Sequence, residues 1–248
     1  MAAPTVYLIS GANRGIGLGF VEVLVQRDGV IVFAGVRDPA SAAALEKLRA
    51  THPDKLHIVR LVSADRVSAA AAVADIERVT GHLDVVIANA GIAQDYSLAL
   101  EVSPEAMMRH YEVNVVGPLV LAQTCYPLMQ ESLSTPKFIV VSSGAGGITN
   151  GATYPMRVTA YGCSKAAVNY LARRLHSELP DLVCFPINPG GVATDLADDG
   201  NADQWIRDNV VMKPVGETVA SMLSVIDNAT RDGEGGQFVS YDGGRIPW

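Results

Sequence analysis

The sequence predicts an α/β fold, a doubly wound parallel sheet in a single domain. Three observations predict it. Short runs of continuous apolar residues alternate with longer amphipathic segments along the chain, a glycine-rich turn joins the first of each, and 248 residues suit one large domain. Strands that are apolar at every position are buried on both faces, which places helices on either side of a parallel sheet. Right-handed crossovers then make the sheet doubly wound, the arrangement of a Rossmann fold.

The elements follow in order. Residues 6–10 read as a buried strand and 16–26 as a helix; 30–36 is a second strand, followed by an Ala- and Leu-rich helix at 42–50. A strand at 57–61 leads to an Ala-rich helix at 67–79, and a strand at 85–88 to a long helical stretch at 105–132, with Gly117 and Pro118 as a kink. Strand 138–142, helix 160–178, strand 183–187, helix 215–228 and a last strand at 236–240 complete the pattern. The polar stretch 194–214, with Asp198, Asp199, Gly200 and an isolated Trp205, fits neither period. A loop of that length in a compact domain reads as a substrate lid.

Composition narrows the function classes. Hydrophobic residues make up 49% and charged residues 18%, so the chain can bury a core without a disulfide or a structural metal. Lys and Arg number 19 against 26 Asp and Glu, a net charge of −7, which disfavours a nucleic-acid partner. Cys125, Cys163 and Cys184 form no C-x-x-C pair, which suits a reducing compartment; Cys163 reads as packing on another helix face. His52, His57, His82, His110 and His176 lack metal-ligand spacing, so no metal site is expected. The first ten residues lack the features of a signal peptide, and no apolar run approaches the roughly 18 residues that span a bilayer. The expected location is the cytoplasm, with no membrane partner.

The first strand runs into Gly11-Ala12-Asn13-Arg14-Gly15-Ile16-Gly17, and a helix follows. Glycines let the backbone turn tightly and approach a pyrophosphate, and the helix N-terminus offers unpaired N–H groups and a positive dipole end. The end of the second strand selects the dinucleotide: a carboxylate there binds the ribose 2′-OH of NAD, a basic group the 2′-phosphate of NADP. Arg37 stands at that place, and Arg14 lies within reach of the same phosphate, so NADP(H) is expected. Asp38 is the contrary sign, because a shifted register would offer it to the ribose.

Tyr161 and Lys165 are four residues apart at the start of a helix and share one face. A tyrosine has an unperturbed pKa of about 10. A neighbouring ammonium is expected to lower it and so make a proton donor that works near neutral pH.

The glycine turn, Asn89-Ala90-Gly91, Val141-Ser142-Ser143, Tyr161-x-x-x-Lys165 and Pro189-Gly190 occur in the order seen in the short-chain dehydrogenases/reductases. The chain resembles that family over nearly its whole length. Its tail, Tyr241-Asp242-Gly243 through Pro247-Trp248, is similar to the carbonyl-reductase branch that includes sniffer, C-factor and fungal ketoreductases. The resemblance implies an oxidoreductase that moves a hydride between NADP(H) and a carbonyl or alcohol carbon. By it, Tyr161 is the acid/base and Lys165 binds the nicotinamide ribose. Ser143 bonds the substrate oxygen, Ser142 is structural, and Asn114 supports a water-linked proton relay. Asn89 lines the adenosine side, with Ala90 and Gly91 beside it, and Pro189, Gly190, Val192 and Thr194 approach the nicotinamide amide.

Two departures bear on the site. The spacing from Ser143 to Tyr161 is longer than usual in the family, which makes 147–158 an insertion at the mouth of the substrate pocket. After the third strand, Val62 stands where the family often carries an adenine-binding Asp, leaving Ser63 or Asp65 to substitute, or a less specific hold on the adenine. Ile92, Ala93, Gly144, Tyr154, Met156, Thr194, Leu196, Trp205 and Met212 are the candidate pocket residues, and their apolar character suits a hydrophobic or aromatic ketone. Two other classes share parts of this pattern. An epimerase or dehydratase uses the same Tyr and Lys but has a larger substrate domain. A non-catalytic NADP sensor would carry a damaged Asn-Ser-Tyr-Lys set, which is intact here. The resemblance also implies a homodimer or homotetramer, paired through 105–132 and 160–178 unless the insertion before Tyr161 modifies or blocks that contact.

Overall fold

A computed structural model describes residues 3–194 and 204–248. One seven-stranded sheet forms its centre, with the order β3-β2-β1-β4-β5-β6-β7. All neighbouring strands are parallel. The strands are β1 (Thr5–Ser10), β2 (Val30–Val36), β3 (Leu56–Arg60), β4 (Val85–Ala88), β5 (Lys137–Val141), β6 (Val183–Asn188) and β7 (Val239–Ser240). The chain winds outward from β1 to β3, then returns to place β4 on the other side of β1. The crevice above the β1–β4 junction is the switch point at which such sheets bind ligands.

Two apolar layers cover the sheet. On one face Phe20 and Leu24 of α1 (Gly15–Leu24), Leu45 of α2 (Ala43–Thr51) and Met222 of α8 (Val215–Asn228) pack on Ile9, Val32 and Phe185. On the other, Ile76 of α3 (Arg66–Thr80), Leu121 of α5 (Gly117–Met129) and Val168 of α6 (Thr159–Glu178) pack on Leu8, Val86 and Phe138. This alternation explains why the central strands carry no polar face.

The stretch expected as one kinked helix at 105–132 is divided. Ser103 caps α4 (Pro104–Tyr111) by accepting the Ala106 N–H, a π-turn spans Glu112–Val116, and α5 begins at Gly117. The Gly117 N–H reaches back to the Glu112 carbonyl, and Pro118 has no N–H to give the Asn114 carbonyl four residues earlier. The last strand is shorter than the expected 236–240, since Gly236 takes a left-handed φ of 66° and gives its N–H to Cys184. Part of the polar stretch 194–214 is helical, α7 (Gln204–Asn209); after it Lys213 exchanges main-chain hydrogen bonds with Gly191 and Ala193. No helix among the described residues is long and apolar enough to cross a membrane.

Candidate active site

The glycine turn is laced to the end of β4. Asn89 donates from Nδ2 to the Ser10 and Gly11 carbonyls (3.0 and 3.2 Å), and the Ser10 hydroxyl accepts the N–H groups of Asn89 and Ala90, each at 3.0 Å. Gly11 adopts φ 66°, and a Cβ there would stand 2.9 Å from the Ala90 Cα. A Cβ at Gly17 would run into the Gly11 carbonyl oxygen, so Gly17 serves the packing of α1 beneath the turn.

Above the turn lies a cleft of about 540 Å³. Gly11, Asn13, Arg14 and Gly15 border it on one side, Arg37 and Ser63 on another, and Ala90 and Ile92 on a third. Arg37 is exposed and has no hydrogen bond or ion pair among the described residues. Asp38 also borders the cleft, but its carboxylate accepts the Ala40 N–H (3.1 Å) and caps the short turn Pro39–Ser41. Of the two groups expected to replace the missing acid after β3, the structure brings Ser63 to the cleft. Asp65 caps α3 by accepting the Val67 N–H at 2.9 Å and stands 3.8 Å from Arg60. The bend between them is tight: Ala64 takes a left-handed φ of 63°, a conformation that costs a non-glycine residue energy. Sequence reasoning missed Ser41, Gln94 and Arg109, which border the same cleft. Arg109 stands one helical turn before Val113, another lining residue, a periodicity that could have revealed it.

Ser143, Tyr161 and Lys165 come together beside this cleft. Ser143 follows β5, and α6 lies so close to the next turn, Gly144–Gly146, that a Cβ at Gly146 would stand 2.6 Å from the Lys165 main chain. Ser143 stands beside Tyr161, where its hydroxyl favours the ionised phenol. Lys165 is buried, donates to the Val141 carbonyl at 2.9 Å, and holds Nζ 5.5 Å from the centre of the Tyr161 ring. The expected lowering of the tyrosine pKa by this ammonium is not found among the protein's own groups. Burial pushes the Tyr161 phenol up, with the neighbouring Ser143 hydroxyl opposing that, and burial pulls Lys165 down to about 8. Both groups are buried, and removal from water disfavours the charged form of each. Tyr161 therefore keeps its proton at neutral pH, the form needed of an acid.

Asn114 is buried behind these residues rather than lining the cleft. Its Oδ1 accepts the Ile92 N–H (2.8 Å), and its Nδ2 donates to the Ile92 carbonyl and to Ser164 Oγ, both at 2.9 Å. With the side chain so engaged, only its main-chain carbonyl, in the π-turn, is left for a relay. Ser142 donates to Asn169 Oδ1 at 2.5 Å. Cys163 is exposed, which corrects its reading as a packing residue.

A second cavity, of about 550 Å³, shares Ile16, Asn89, Gly91 and Thr194 with the first and contains Ser143, Tyr161 and Lys165 in its wall. Pro189, Gly190 and Val192 bound it below; Ala93, Gly144, Tyr154, Met156, Trp205 and Met212 form its apolar sides. Leu196 lies outside the described residues. The rings of Tyr154 and Trp205 are stacked, 5.4 Å between centroids at 20°. Tyr96, Val158 and Asn188 were not foreseen. Asn188 Oδ1 accepts the N–H groups of both Gly144 and Gly190 at 3.1 Å and so ties the two sides of the cavity floor together. Its place at the end of β6, just before Pro189, was the available signal.

A glycine turn at a topological switch point, opening into a cavity with a buried Lys and a protonated Tyr, defines a dinucleotide-binding oxidoreductase. Comparison with known proteins gives the family: the model described as short chain dehydrogenase matches residues 5–205, and the chain belongs to that family. It is 36% identical over 249 residues to a norsolorinic acid ketoreductase of Aspergillus parasiticus, covering 98% of this chain and 91% of that protein. Among solved structures, the NADPH-bound carbonyl reductase from chicken fatty liver matches with a TM-score of 0.88 at 34% identity, covering both chains fully. The carbonyl reductase Sniffer of Drosophila melanogaster matches with a TM-score of 0.87 at 28% identity, also over 100% of both chains.

Proposed function

We propose that this oxidoreductase uses NADPH to reduce the carbonyl of a hydrophobic ketone or aldehyde, and in reverse oxidises the alcohol. The observation that carries this reading is the convergence of Ser143, Tyr161 and Lys165 in the wall of the apolar cavity, beside the arginine-bordered cleft. The glycine turn fits a dinucleotide, since the close approaches at Gly11 and Gly17 leave main-chain N–H groups of the turn and α1 to face a pyrophosphate. Arg14 and Arg37 suit a 2′-phosphate, and Asp38 is held by its own turn. When bound, the nicotinamide supplies the hydride.

The protein's residues do the rest. Ser143 donates a hydrogen bond to the substrate oxygen, so charge developing there is stabilised in a water-poor site. Tyr161 delivers its proton to that oxygen; its raised pKa keeps the proton in place until then. Lys165, fixed by the Val141 carbonyl, holds the ribose. Asn114 positions the turn at Ile92 and, through its main-chain carbonyl, a water that returns the proton. The apolar sides, of a volume usual for small-molecule pockets, exclude water and select hydrophobic carbonyl compounds. Of the stretch 194–214 read as a lid, Thr194 and residues from Trp205 to Met212 border the cavity, and 195–203 lie outside the described residues. The enzyme works in the cytoplasm as a dimer or tetramer, in keeping with the pairing its resemblance implies.

The test is oxidation of NADPH by a panel of aryl and alkyl ketones, followed at the nicotinamide absorbance, with Tyr161→Phe as partner. The variant should lose about 10²- to 10⁴-fold in kcat with NADPH binding intact by fluorescence titration. Equal turnover in the variant would remove Tyr161 from the reaction. Tight NADPH binding with no turnover of any ketone by the wild type would favour a sensor.

A further inference from the structure

The tail motif ending in Ile246-Pro247-Trp248 has no part in these steps. After β7 the chain turns at Gly243 (φ 88°) and runs back antiparallel, with the Ser240 N–H on the Gly244 carbonyl (2.7 Å) and the Ile246 N–H on the Phe238 carbonyl (2.8 Å). This return lays the Trp248 ring on Phe238, 5.9 Å between centroids at 27°. The guanidinium of Arg173, on α6, covers the indole at 5.0 Å from its centre. Trp248 is thus fixed by a core phenylalanine and by the helix that carries Tyr161.

What it holds is the insertion. The main-chain oxygen of Trp248 accepts both the N–H of Thr149 (2.8 Å) and its hydroxyl (2.5 Å). At the far end of the same segment, Arg157 donates from Nε to the Tyr96 carbonyl (3.1 Å) and pairs with Glu101 at 2.6 Å. Tyr154 and Met156, side walls of the apolar cavity, lie between these two anchors. Ile148, Thr149 and Asn150 are exposed between the buried Gly147 and Gly151, so the 149 anchor ties down the part of the segment that stands out from the protein.

We infer that Trp248 is a positioning residue for substrate recognition: through Thr149 it fixes the 147–158 wall so that Tyr154 and Met156 keep the shape of the cavity. The inference rests on reading that cavity as the substrate site. Stacking and cation–π contacts of this kind correspond to about threefold to tenfold in an equilibrium constant. Trp248→Ala should therefore raise KM for a bulky aryl ketone about threefold to tenfold, leaving kcat, NADPH affinity and the KM of a small alkyl ketone unchanged. Trp248→Phe, which keeps a ring on Phe238 and the main-chain oxygen in place, should restore most of the loss. Thr149→Val should shift the same KM in the same direction by less.

Hydrogen exchange supplies a readout that needs no substrate. Amides of 147–158 should exchange faster in Trp248→Ala, while those of α6 and β5 do not. An unchanged KM ratio between the two ketones, or a loss spread equally over both ketones and NADPH, would overturn the inference and leave the tail as a cover for the core. Should the wild type reduce no ketone at all, the reading of the cavity fails, and unaltered exchange at 147–158 would sink the latch separately.

Discussion

The two cavities that meet at Ile16, Asn89, Gly91 and Thr194 have nearly the same volume, about 540 and 550 Å³, and are built differently. The cofactor-side cleft is bordered largely by residues at or just beyond the ends of β1, β2, β3 and β4, tied by Ser10 and Asn89. The substrate-side cavity takes its sides from the insertion 147–158, from α7 and the stretch after it, and from the loop at Ala93 and Tyr96, each held by a few contacts to other segments. A sheet end is placed by many cooperative hydrogen bonds, a surface segment by a handful, so on the proposed reading the first region suits a fixed cofactor and the second a substrate that can differ between relatives.

The largest effect that sharpens this contrast is expected at Arg37. Charge-assisted bonds to a phosphate contribute about 1.5–3 kcal/mol, so Arg37→Ala should lower the ratio of kcat/KM for NADPH over NADH about tenfold to hundredfold. The KM for ketone and the melting temperature should not move, since Arg37 is exposed and supports no other described residue. An unchanged ratio would assign the 2′-phosphate to Arg14 alone, and a preference for NADH in the wild type would return Asp38 to the ribose.

A second effect lies on the boundary itself. Lys165 has its pKa lowered from 10.5 to about 8 by burial, so in the folded protein its charge is present below about 8 and lost above it. The unfolded chain keeps that proton up to 10.5, so between these values it binds more protons than the folded one, and stability contributed by this site rises with pH. Capture of NADPH, which is proposed to use the ammonium, should move the other way. Relative to Lys165→Met, urea unfolding should show wild-type stability increasing from pH 8 to 10.5, while kcat/KM for NADPH falls. Parallel trends in the two measurements would contradict the assignment.

The same contrast explains what could be read from the sequence. The turn from Gly11 to Gly17, Arg37, Asn89 and the Tyr161–Lys165 pair are local patterns whose spacing alone puts them at strand ends or on one helix face, and the structure places each there. The direction of the Tyr161 pKa was not legible, because it depends on burial by segments distant in the chain. Asn188 and Arg109 carry no motif, and the π-turn at Asn114 depends on Pro118 removing a donor within an otherwise helical pattern. Thr149 and Trp248 are 99 positions apart, and only the tail's return along β7 brings them together.

The smallest predicted effect probes the side of the cavity least tied to the sheet. Tyr154 and Trp205 stack on one another from the insertion and from α7, and neither belongs to a strand. Aromatic pairs contribute about 0.5–1.5 kcal/mol beyond the area they bury, so Trp205→Ala should raise the KM for an aryl ketone about twofold to tenfold. NADPH affinity should stay constant. If the two rings form one surface, Tyr154→Ala should add little to the Trp205 variant, because the first substitution already breaks the stack. Fully additive losses would mean that each ring meets the substrate separately. A loss of NADPH affinity in either variant would show that the two cavities are not independently built, and the contrast between them would have to be withdrawn.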